Sequence, residues 1–341
     1  MKRKSIQNIC IIFLLVLGAT ATQVSAAVLT VGVKGGENYT SIQEAVNNSQ
    51  NGDTIVVSPG IYIENVNVNK EIAIISKTDV SGDRLNRTYV IGAVPTNDVF
   101  SINSNNVKIT GFHIMGGPSG INAYQEVGLY LEGVQNCSLS NNTLMLNDVG
   151  IGLNNSQGNF LDNNRIGLGS TGIILSRSNE NKLSNNLVET NDEGILLDNS
   201  TNNTLMNNTA ESNDIGVLLA TSKTNTLGYN SISRNSYGIV LEDMAESNTL
   251  TNNSLYMNGL GMYLRGSTGN MISLNKFFNF INAVDEGTNS WNSSSAGNKW
   301  KDYNGTDADG NGIGDTPYVV NQTTGSIDYM PLANNVSSGN Q

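Results

Sequence analysis

The chain has 341 residues, a formal net charge of −11 and 14% charged residues. So acidic a chain is a poor partner for nucleic acid or for an anionic membrane, and we expect neither as a partner. The same charge is compatible with divalent cations, although a solvated acidic surface is the simpler explanation.

The N-terminal segment 1–26 has the features of a signal peptide. Lys2–Lys4 provide its basic region, Ile9–Leu17 its apolar region and Val24–Ala26 its cleavage site. The apolar stretch is too short to span a membrane stably, so we predict a secreted or cell-surface protein with no transmembrane segment after cleavage. Cleavage would remove three cationic side chains, which changes the net charge from −11 to −14. It would leave Cys137 as the one cysteine, which excludes an intramolecular disulfide.

Residues 27–120 are predicted to form an N-terminal cap and the early turns of the fold. Ser41 and Glu44 have the spacing of a helix capping box, and the apolar Ala45 and Val46 that follow them suit a short helix. Such a helix would cover the open first turn, which otherwise exposes strand edges. The alternating residues of 52–66 predict strands around a Pro-Gly turn.

Residues 121–285 contain an internal repeat. A glycine that opens a short apolar stretch recurs at a constant interval, and the sequence numbers of successive glycines differ by 22, with a single difference of 23 at the last step: Gly128, Gly150, Gly172, Gly194, Gly216, Gly238 and Gly261. A fixed period of this length is typical of a solenoid, whose turns bury their apolar faces against each other. Each repeat offers three apolar stretches too short for a helix. We therefore predict a parallel β-helix with three sheets.

Asparagine and leucine recur in the same register. Asparagine tolerates left-handed corners, and stacked asparagine amides bond to one another along the axis, so we predict Asn ladders at the corners. Two leucine series predict two buried columns. One column is Leu131, Leu153, Leu175, Leu197, Leu219, Leu241 and Leu264, and the other is Leu139, Leu161, Leu183, Leu205, Leu227 and Leu250.

The same register also stacks acidic side chains. It places Glu189 on Glu211, and Asp192 on Asp214. Carboxylates one strand apart repel each other unless a cation or a proton is shared, and glycoside hydrolysis uses paired carboxylates. A structural role at a solvated corner is the simplest interpretation, with cation binding and catalysis as alternatives.

Residues 286–341 end the repeat and are rich in glycine, asparagine and aspartate. We expect Trp291 and Trp300, both in this segment, to pack on the last turn as a C-terminal cap. A calcium-loop-like motif follows, with oxygen ligands at alternate positions: Asp307, Asp309, Asn311, the carbonyl of Ile313 and Asp315. Tyr318 stands where an EF-hand places its bidentate glutamate, so we predict a calcium-stabilised loop of another kind.

Soft metal ligands are few. His113 is the only histidine, and one imidazole does not make a metal site. Cys137 is expected to be a small buried residue. Methionines scattered through apolar repeats are usually core filler, although their thioethers have the chemistry to bind Cu(I); these are Met115, Met145, Met206, Met257 and Met262.

Two stretches carry a family resemblance. Residues 39–76 resemble the opening of pectin-lyase-like right-handed β-helices, and the later repeats resemble those of NosD-type proteins with carbohydrate-binding and sugar-hydrolysis repeats. The tail, from Gly297 through Leu332, is similar to tails of surface proteins in methanogenic archaea. The resemblance implies a right-handed helix, and the NosD name implies copper delivery. The chain lacks the Arg-Pro-Arg, Asn-Thr-Asp, Gly-His-Gly and Asp-Pro-His-Asp motifs of related lyases, polygalacturonases and epimerases.

Together these features predict an all-β protein, a right-handed parallel β-helix solenoid with a short N-terminal cap helix and an irregular C-terminal cap. The predicted function is that of a non-catalytic structural or glycan-binding protein of the cell surface, with a polysaccharide or surface glycan as partner and calcium as cofactor. One alternative is a polysaccharide lyase, hydrolase or epimerase that uses the acidic residues near 189–214. A second alternative is an accessory protein for metal delivery.

Overall fold

The computed structural model describes residues 26–77, 87–116 and 126–334. In these ranges the chain winds into three parallel sheets, A, B and C, and ends in an antiparallel hairpin of Tyr318–Asn321 with Ser326–Asp328. The predicted signal peptide, apart from Ala26, lies outside the described residues.

From Thr54 onward each complete turn contributes one strand to sheet A, then one to sheet B and one to sheet C. Sheet A has 12 strands: Val28–Val31, Thr54–Val57, Ala73–Ser76, Lys108–Thr110, Ser138–Ser140, Phe160–Asp162, Lys182–Ser184, Thr204–Met206, Thr226–Gly228, Thr249–Thr251, Thr268–Ser273 and Thr288–Ser290. Sheet B has 11: Gly60–Ile63, Thr88–Ile91, His113–Met115, Thr143–Met145, Arg165–Gly167, Leu187–Glu189, Thr209–Glu211, Ser231–Ser233, Ser254–Tyr256, Lys276–Phe278 and Lys299–Trp300. Sheet C has 10: Val66–Val68, Phe100–Ile102, Val127–Glu132, Val149–Asn154, Thr171–Ser176, Glu193–Asp198, Ile215–Ala220, Tyr237–Glu242, Leu260–Leu264 and Ile281–Asp285.

The strand register confirms the predicted period and the two leucine columns. Leu175 pairs with Leu197 and Leu197 with Leu219, while Leu183 pairs with Leu205, so each leucine meets its counterpart in the next repeat. Every leucine of both columns is at most 1% exposed. The columns therefore form the core, because one turn has no apolar interior until the next turn covers it.

The repeat glycines are required by close packing between turns at the start of each sheet C strand. A Cβ atom on Gly194 would lie 2.4 Å from the carbonyl oxygen of Gly216, and one on Gly172 would lie 2.6 Å from that of Gly194. No real Cβ contact is that short, so a side chain here would force successive turns apart.

The corners confirm the predicted Asn ladders. In the ladder between sheets A and B, Asn186 donates from its backbone N and its Nδ2 to Oδ1 of Asn208, at 3.0 and 2.9 Å. Its Nδ2 also donates to the carbonyl of Leu161 at 2.9 Å. The buried amide of Asn186 is thus hydrogen-bonded along the axis, as a buried polar group requires, whereas the buried Nδ2 of Asn279 has no partner among the described residues. Three such ladders exist in the described part of the chain. The first comprises Asn142, Asn164, Asn186, Asn208, Asn230, Asn253, Asn275 and Asn298; the second Asn159, Asn181, Asn203, Asn225, Asn248, Asn270 and Asn289; the third Asn191, Asn213, Asn235, Asn258, Asn279 and Asn282.

The single longer repeat is accommodated at one corner. Leu219 still pairs with Leu241 at the ordinary interval, but Lys223 bridges to Glu246, which is one position further along than that interval predicts. The extra residue therefore lies between 241 and 246, where Asp243 and Met244 both have positive φ angles of 51° and 67°. An insertion at a corner changes no strand register, which explains why the array tolerates it.

The N-terminal cap is the helix Ile42–Asn48, and Ser41 Oγ accepts a hydrogen bond from Glu44 N at 3.3 Å. The predicted capping box is only half formed. Glu64, on the following turn, accepts from Ser41 Oγ at 2.8 Å and from the N–H groups of Ile42 and Gln43 at 3.0 and 2.9 Å. A distant carboxylate thus caps the first N–H groups of this helix, where a negative charge is also favoured by the helix dipole.

The C-terminal cap packs aromatic rings on the last turn, as expected for Trp291 and Trp300. Both tryptophans are fully buried, and Trp300 stacks between Phe277 and Tyr318 at centroid distances of 4.4 and 4.2 Å. The ladders end here on aspartates. Asn298 N donates to Asp328 at 2.7 Å, Asn289 Nδ2 to Asp285 at 2.9 Å and Asn282 Nδ2 to Asp302 at 2.8 Å.

Candidate functional site

The outer face of sheet B carries two rows of side chains, because successive residues of a strand point to opposite faces. The middle residues of its three-residue strands, such as Leu144, are buried in the core. The first row comprises Tyr89, His113, Thr143, Arg165, Leu187, Thr209, Ser231, Ser254 and Lys276. The second comprises Ile91, Met115, Met145, Gly167, Glu189, Glu211, Ser233, Tyr256 and Phe278.

The N-terminal end of this face holds a cleft of about 340 Å³, which we call the sheet B cleft. Its lining residues come from four consecutive strands and the residue before the first of them: Arg87, Tyr89, His113, Met115, Thr143, Met145 and Arg165. The volume lies within the range of roughly 300–1,000 Å³ that is usual for ligand sites. The cleft combines two guanidinium groups with an aromatic ring, a hydroxyl and two thioethers.

Aromatic packing and charge hold the side chains of the cleft in place. The rings of Tyr89 and His113 pack with their centroids 5.0 Å apart. Burial lowers the pKa of His113, and the nearby positive charge of Arg87 lowers this pKa further. Arg165 donates from Nε to Glu189 Oε1 at 2.7 Å and forms an ion pair with it at 2.6 Å. Burial and the charge of Arg87 therefore favour the neutral form of the imidazole.

The structure places the acidic candidates Glu189 and Glu211 side by side on sheet B, as the register predicted. Each is engaged by an arginine from a neighbouring turn, Glu189 by Arg165 and Glu211 by Arg234. The structure thus brings these two together and gives each a charge partner within the fold.

The other two acidic candidates, Asp192 and Asp214, lie exposed at the corner that leads into sheet C. Near them is Glu193, which the sequence pattern did not single out because Thr171 and Ile215 stack on either side of it. Burial raises the pKa of Glu193, and the charges of Asp192 and Glu242 add to this effect, while a hydrogen bond from Thr171 opposes it. Glu193 is the first residue of the sheet C strand Glu193–Asp198 and does not line the sheet B cleft.

The calcium-loop-like segment is held together by its own acceptors. Asp307 accepts from the N–H groups of Asn311 and Gly312 at 3.0 and 2.9 Å, and Asp315 accepts from Thr306 Oγ1 at 2.8 Å. Asp309 accepts from Asn311 Nδ2 at 2.8 Å. Across the described ranges, no three His, Cys, Asp or Glu residues are grouped so that they could hold a metal ion. Calcium binding by Asp307, Asp309, Asn311, Ile313 and Asp315 stays a prediction from the sequence.

Comparison with known proteins identifies relatives in sequence. A family model described as "Periplasmic copper-binding protein (NosD)" matches residues 46–182 and, overlapping these, 119–305. A cell surface glycoprotein of Methanothermus fervidus is 31% identical over 137 residues, which make up 39% of this chain but only 20% of that protein. The chain thus matches about a fifth of the length of this relative. Both matches support an extracytoplasmic β-helix protein of the surface. Within the described ranges, no helix has the length and apolarity needed to cross a membrane.

Solved structures confirm the fold. Pectate lyase Pel9A superposes with a TM-score of 0.51 and 14% identity, over 80% of this chain and 83% of the lyase. A polygalacturonase from Erwinia carotovora ssp. carotovora gives a TM-score of 0.58 and 11% identity, over 82% of this chain and 96% of the enzyme. At such low identity the likeness shows the right-handed β-helix fold alone.

The copper named in the family description can be tested against the residues present. His113, Met115 and Met145 are soft or borderline ligands that share the sheet B cleft, but Arg87 and Arg165 line the same cleft, and their charge opposes a cation. Cys137 is buried elsewhere, its Sγ lies 3.4 Å from the carbonyl oxygen of Ser104, and burial raises the pKa of its thiol to about 11. A thiol in this state is a poor metal ligand. Neither the sheet B cleft nor Cys137 therefore fits a copper site.

Proposed function

The chain belongs to the NosD family, and from this premise we propose that it is a non-catalytic β-helix protein of the cell surface that binds a polysaccharide. The ligand would lie along the outer face of sheet B and enter the sheet B cleft. The cell-surface relative and the family description support the location. The polar composition of the cleft supports the binding role.

The observation that carries the proposal is the arrangement of the cleft along the helix axis. Tyr89, His113, Thr143 and Arg165 follow one another on adjacent strands, so they extend over three strand spacings, roughly 14 Å. A sugar chain laid parallel to the axis would meet hydrogen-bonding groups at each strand and the Tyr89 ring at one end. The rigid sheet fixes the spacing of these groups before the ligand arrives, which lowers the ordering cost of binding.

The enzymatic alternative receives less support from the geometry. A lyase, hydrolase or epimerase would need a free acid or base next to the bound sugar. Glu189 and Glu211 each form an ion pair with an arginine. Asp192 and Asp214 lie at an exposed corner outside the cleft. None of these four carboxylates faces the cleft without a partner.

A glycan-array screen followed by calorimetry tests the proposal. We expect wild-type protein to bind at least one extended polysaccharide, and Tyr89→Ala to weaken that binding by about tenfold or more through loss of its ring contact. Tyr237→Ala is the matched control, because Tyr237 is an exposed tyrosine on sheet C, 42% accessible. Absence of any glycan binding, or equal losses in both variants, would refute the proposed role.

The same preparation separates binding from catalysis. The double variant Asp192→Asn with Asp214→Asn should bind the polysaccharide as the wild type does, and neither protein should release reducing or unsaturated sugar from it. Release of such products by the wild type, and its loss in the double variant, would establish the enzymatic alternative instead.

A further inference from the structure

We infer that the sheet B cleft selects an acidic saccharide, with Arg87 as the residue that binds a sugar carboxylate. This inference rests on the proposed polysaccharide binding and names the chemical class of the ligand. It arises from a contrast in charge. The chain as a whole has a net charge of −11, yet two arginines and no carboxylate are found among the described residues that line the cleft.

The two arginines of the cleft differ in whether they form an ion pair with a described carboxylate. Arg165 is paired with Glu189, so its charge is largely balanced within the fold. Arg87 takes part in none of the ion pairs found in the described ranges, which join Arg165 to Glu189, Lys223 to Glu246, Arg234 to Glu211 and Arg265 to Glu242. Its effect on the His113 pKa shows that its charge is felt inside the cleft. An anion arriving there would meet a guanidinium that no described carboxylate neutralises.

The geometry favours a carboxylate carried on an extended molecule. A guanidinium presents two parallel N–H groups that match the two oxygens of a carboxylate, which gives both strength and orientation. Arg87 immediately precedes the strand Thr88–Ile91, and Arg165 opens the strand three places further along sheet B. The ligand therefore meets Arg87 at one end of the cleft and, at the other end, Arg165, whose charge Glu189 largely balances. Between them lie Tyr89, Thr143 and the methionines, which suit the apolar faces and hydroxyl groups of sugar rings.

The experiment compares two forms of one oligosaccharide, oligogalacturonate and its fully methyl-esterified form, which has the same sugars without their charge. Calorimetry on the full chain should show tighter binding of the free acid by about tenfold or more, the gain expected from one charge-assisted guanidinium–carboxylate pair. Arg87→Gln should remove most of that difference. Arg265→Gln is the control, because Arg265 is an exposed arginine that pairs with Glu242 and lies beside sheet C, away from the cleft.

A second measurement needs no variant, so it does not depend on whether Arg87→Gln folds. Raising the sodium chloride concentration should weaken binding of the free acid by wild-type protein and leave binding of the ester unchanged, because salt screens charge–charge attraction. Equal affinity for the two forms, or no binding of the free acid, would overturn the inference. If the ester or a neutral glycan still binds, the proposed function survives that result. If nothing binds, both fail.

Discussion

The regular turns and the C-terminal end of the β-helix provide different acceptors for the hydrogen bonds of the ladder asparagines. In the regular turns each ladder asparagine accepts from the turn before and donates to the turn after, as Asn186 does between Asn164 and Asn208. At the end no further asparagine continues a ladder in the described part of the chain, and Asp328, Asp285 and Asp302 accept the last hydrogen bonds. The hydrogen bonds between the asparagines of a ladder all run toward the C-terminus, so an acceptor must stand there. A carboxylate, which has only acceptors, fits that place.

The largest expected loss comes from the regular turns. Leu197→Ala should lower the free energy of unfolding by about 2–5 kcal/mol, because it opens a cavity in a fully buried column. Leu196→Ala is the control. Leu196 is the preceding residue on the same strand but points outward, and its loss should cost about 1 kcal/mol or less. Urea unfolding measures both values, and similar losses would show that the column is not the core.

At the C-terminal end, Asp328→Asn should lower the free energy of unfolding by about 3 kcal/mol, because it leaves a buried N–H donor without an acceptor. Asp328 accepts from Asn298 N at 2.7 Å, Trp300 Nε1 at 2.9 Å and Met330 N at 3.0 Å. An asparagine has one acceptor oxygen, and its amide would oppose one of these donors. Asp243→Asn, at an exposed corner, is the control and should leave stability unchanged. Equal stability of the two variants would refute the role of Asp328.

The predicted calcium loop would add stability to the same end. At a hundredfold excess of calcium over its dissociation constant, binding to the folded state alone contributes about 2.7 kcal/mol. Chelation should therefore lower the melting temperature, and Asp309→Ala should abolish that sensitivity. Thermal melts with calcium and with chelator provide the measurement. Coincident curves for the wild type would refute the prediction that the loop binds calcium.

A smaller effect should appear with pH. Burial raises the pKa of Asp328 above its ordinary value of 3.8, although the N–H groups that donate to it act in the opposite direction. A raised pKa means that the folded state holds the proton more tightly. This contribution to stability is fully present below pH 3.8 and is lost as the pH rises through the folded-state pKa. The stability difference between wild type and Asp328→Asn, measured by denaturant from pH 3 to 7, should shrink over that window; a flat difference would contradict this assignment.

The same comparison shows which features of the structure could be predicted from the sequence. The leucine columns, the ladders and the Glu189–Glu211 contact all follow from one repeating interval, since a fixed period tells which residues meet. The sheet B cleft was not predicted because two of the three steps between its strands depart from that interval. Tyr89 pairs with His113 and His113 with Thr143, and these two steps along the sequence differ in length from each other and from the regular repeat. Nothing in the spacing therefore indicated that Arg87, His113 and Arg165 would line one cleft. The aspartates that end the ladders were missed for the same reason, because Asp328 reaches Asn298 through a hairpin and not through a repeat.

The smallest expected effect concerns the corner that holds the extra residue. A serine ladder runs beside the asparagine ladders, with Ser178 N donating to Ser200 Oγ at 2.9 Å and Ser200 N to Ser222 Oγ at 3.0 Å. Ala245 takes the next place, and its own N–H donates to the carbonyl of Glu242 at 3.1 Å within the enlarged corner. Beyond it, the buried Oγ of Ser267 has no hydrogen-bond partner among the described residues.

Ala245→Ser should extend this ladder by one step, because the new hydroxyl lies where Ser222 N requires an acceptor. We expect a gain of about 0.5–1 kcal/mol, the net value of one buried hydrogen bond. Urea unfolding should show a higher midpoint with an unchanged slope, since the same surface is exposed on unfolding. Ser200→Ala, which breaks the intact part of the ladder, is the reciprocal control and should cost at least as much. A loss of stability in Ala245→Ser would mean that the enlarged corner has moved residue 245 out of line with the ladder, so that the insertion disturbs more than the corner itself.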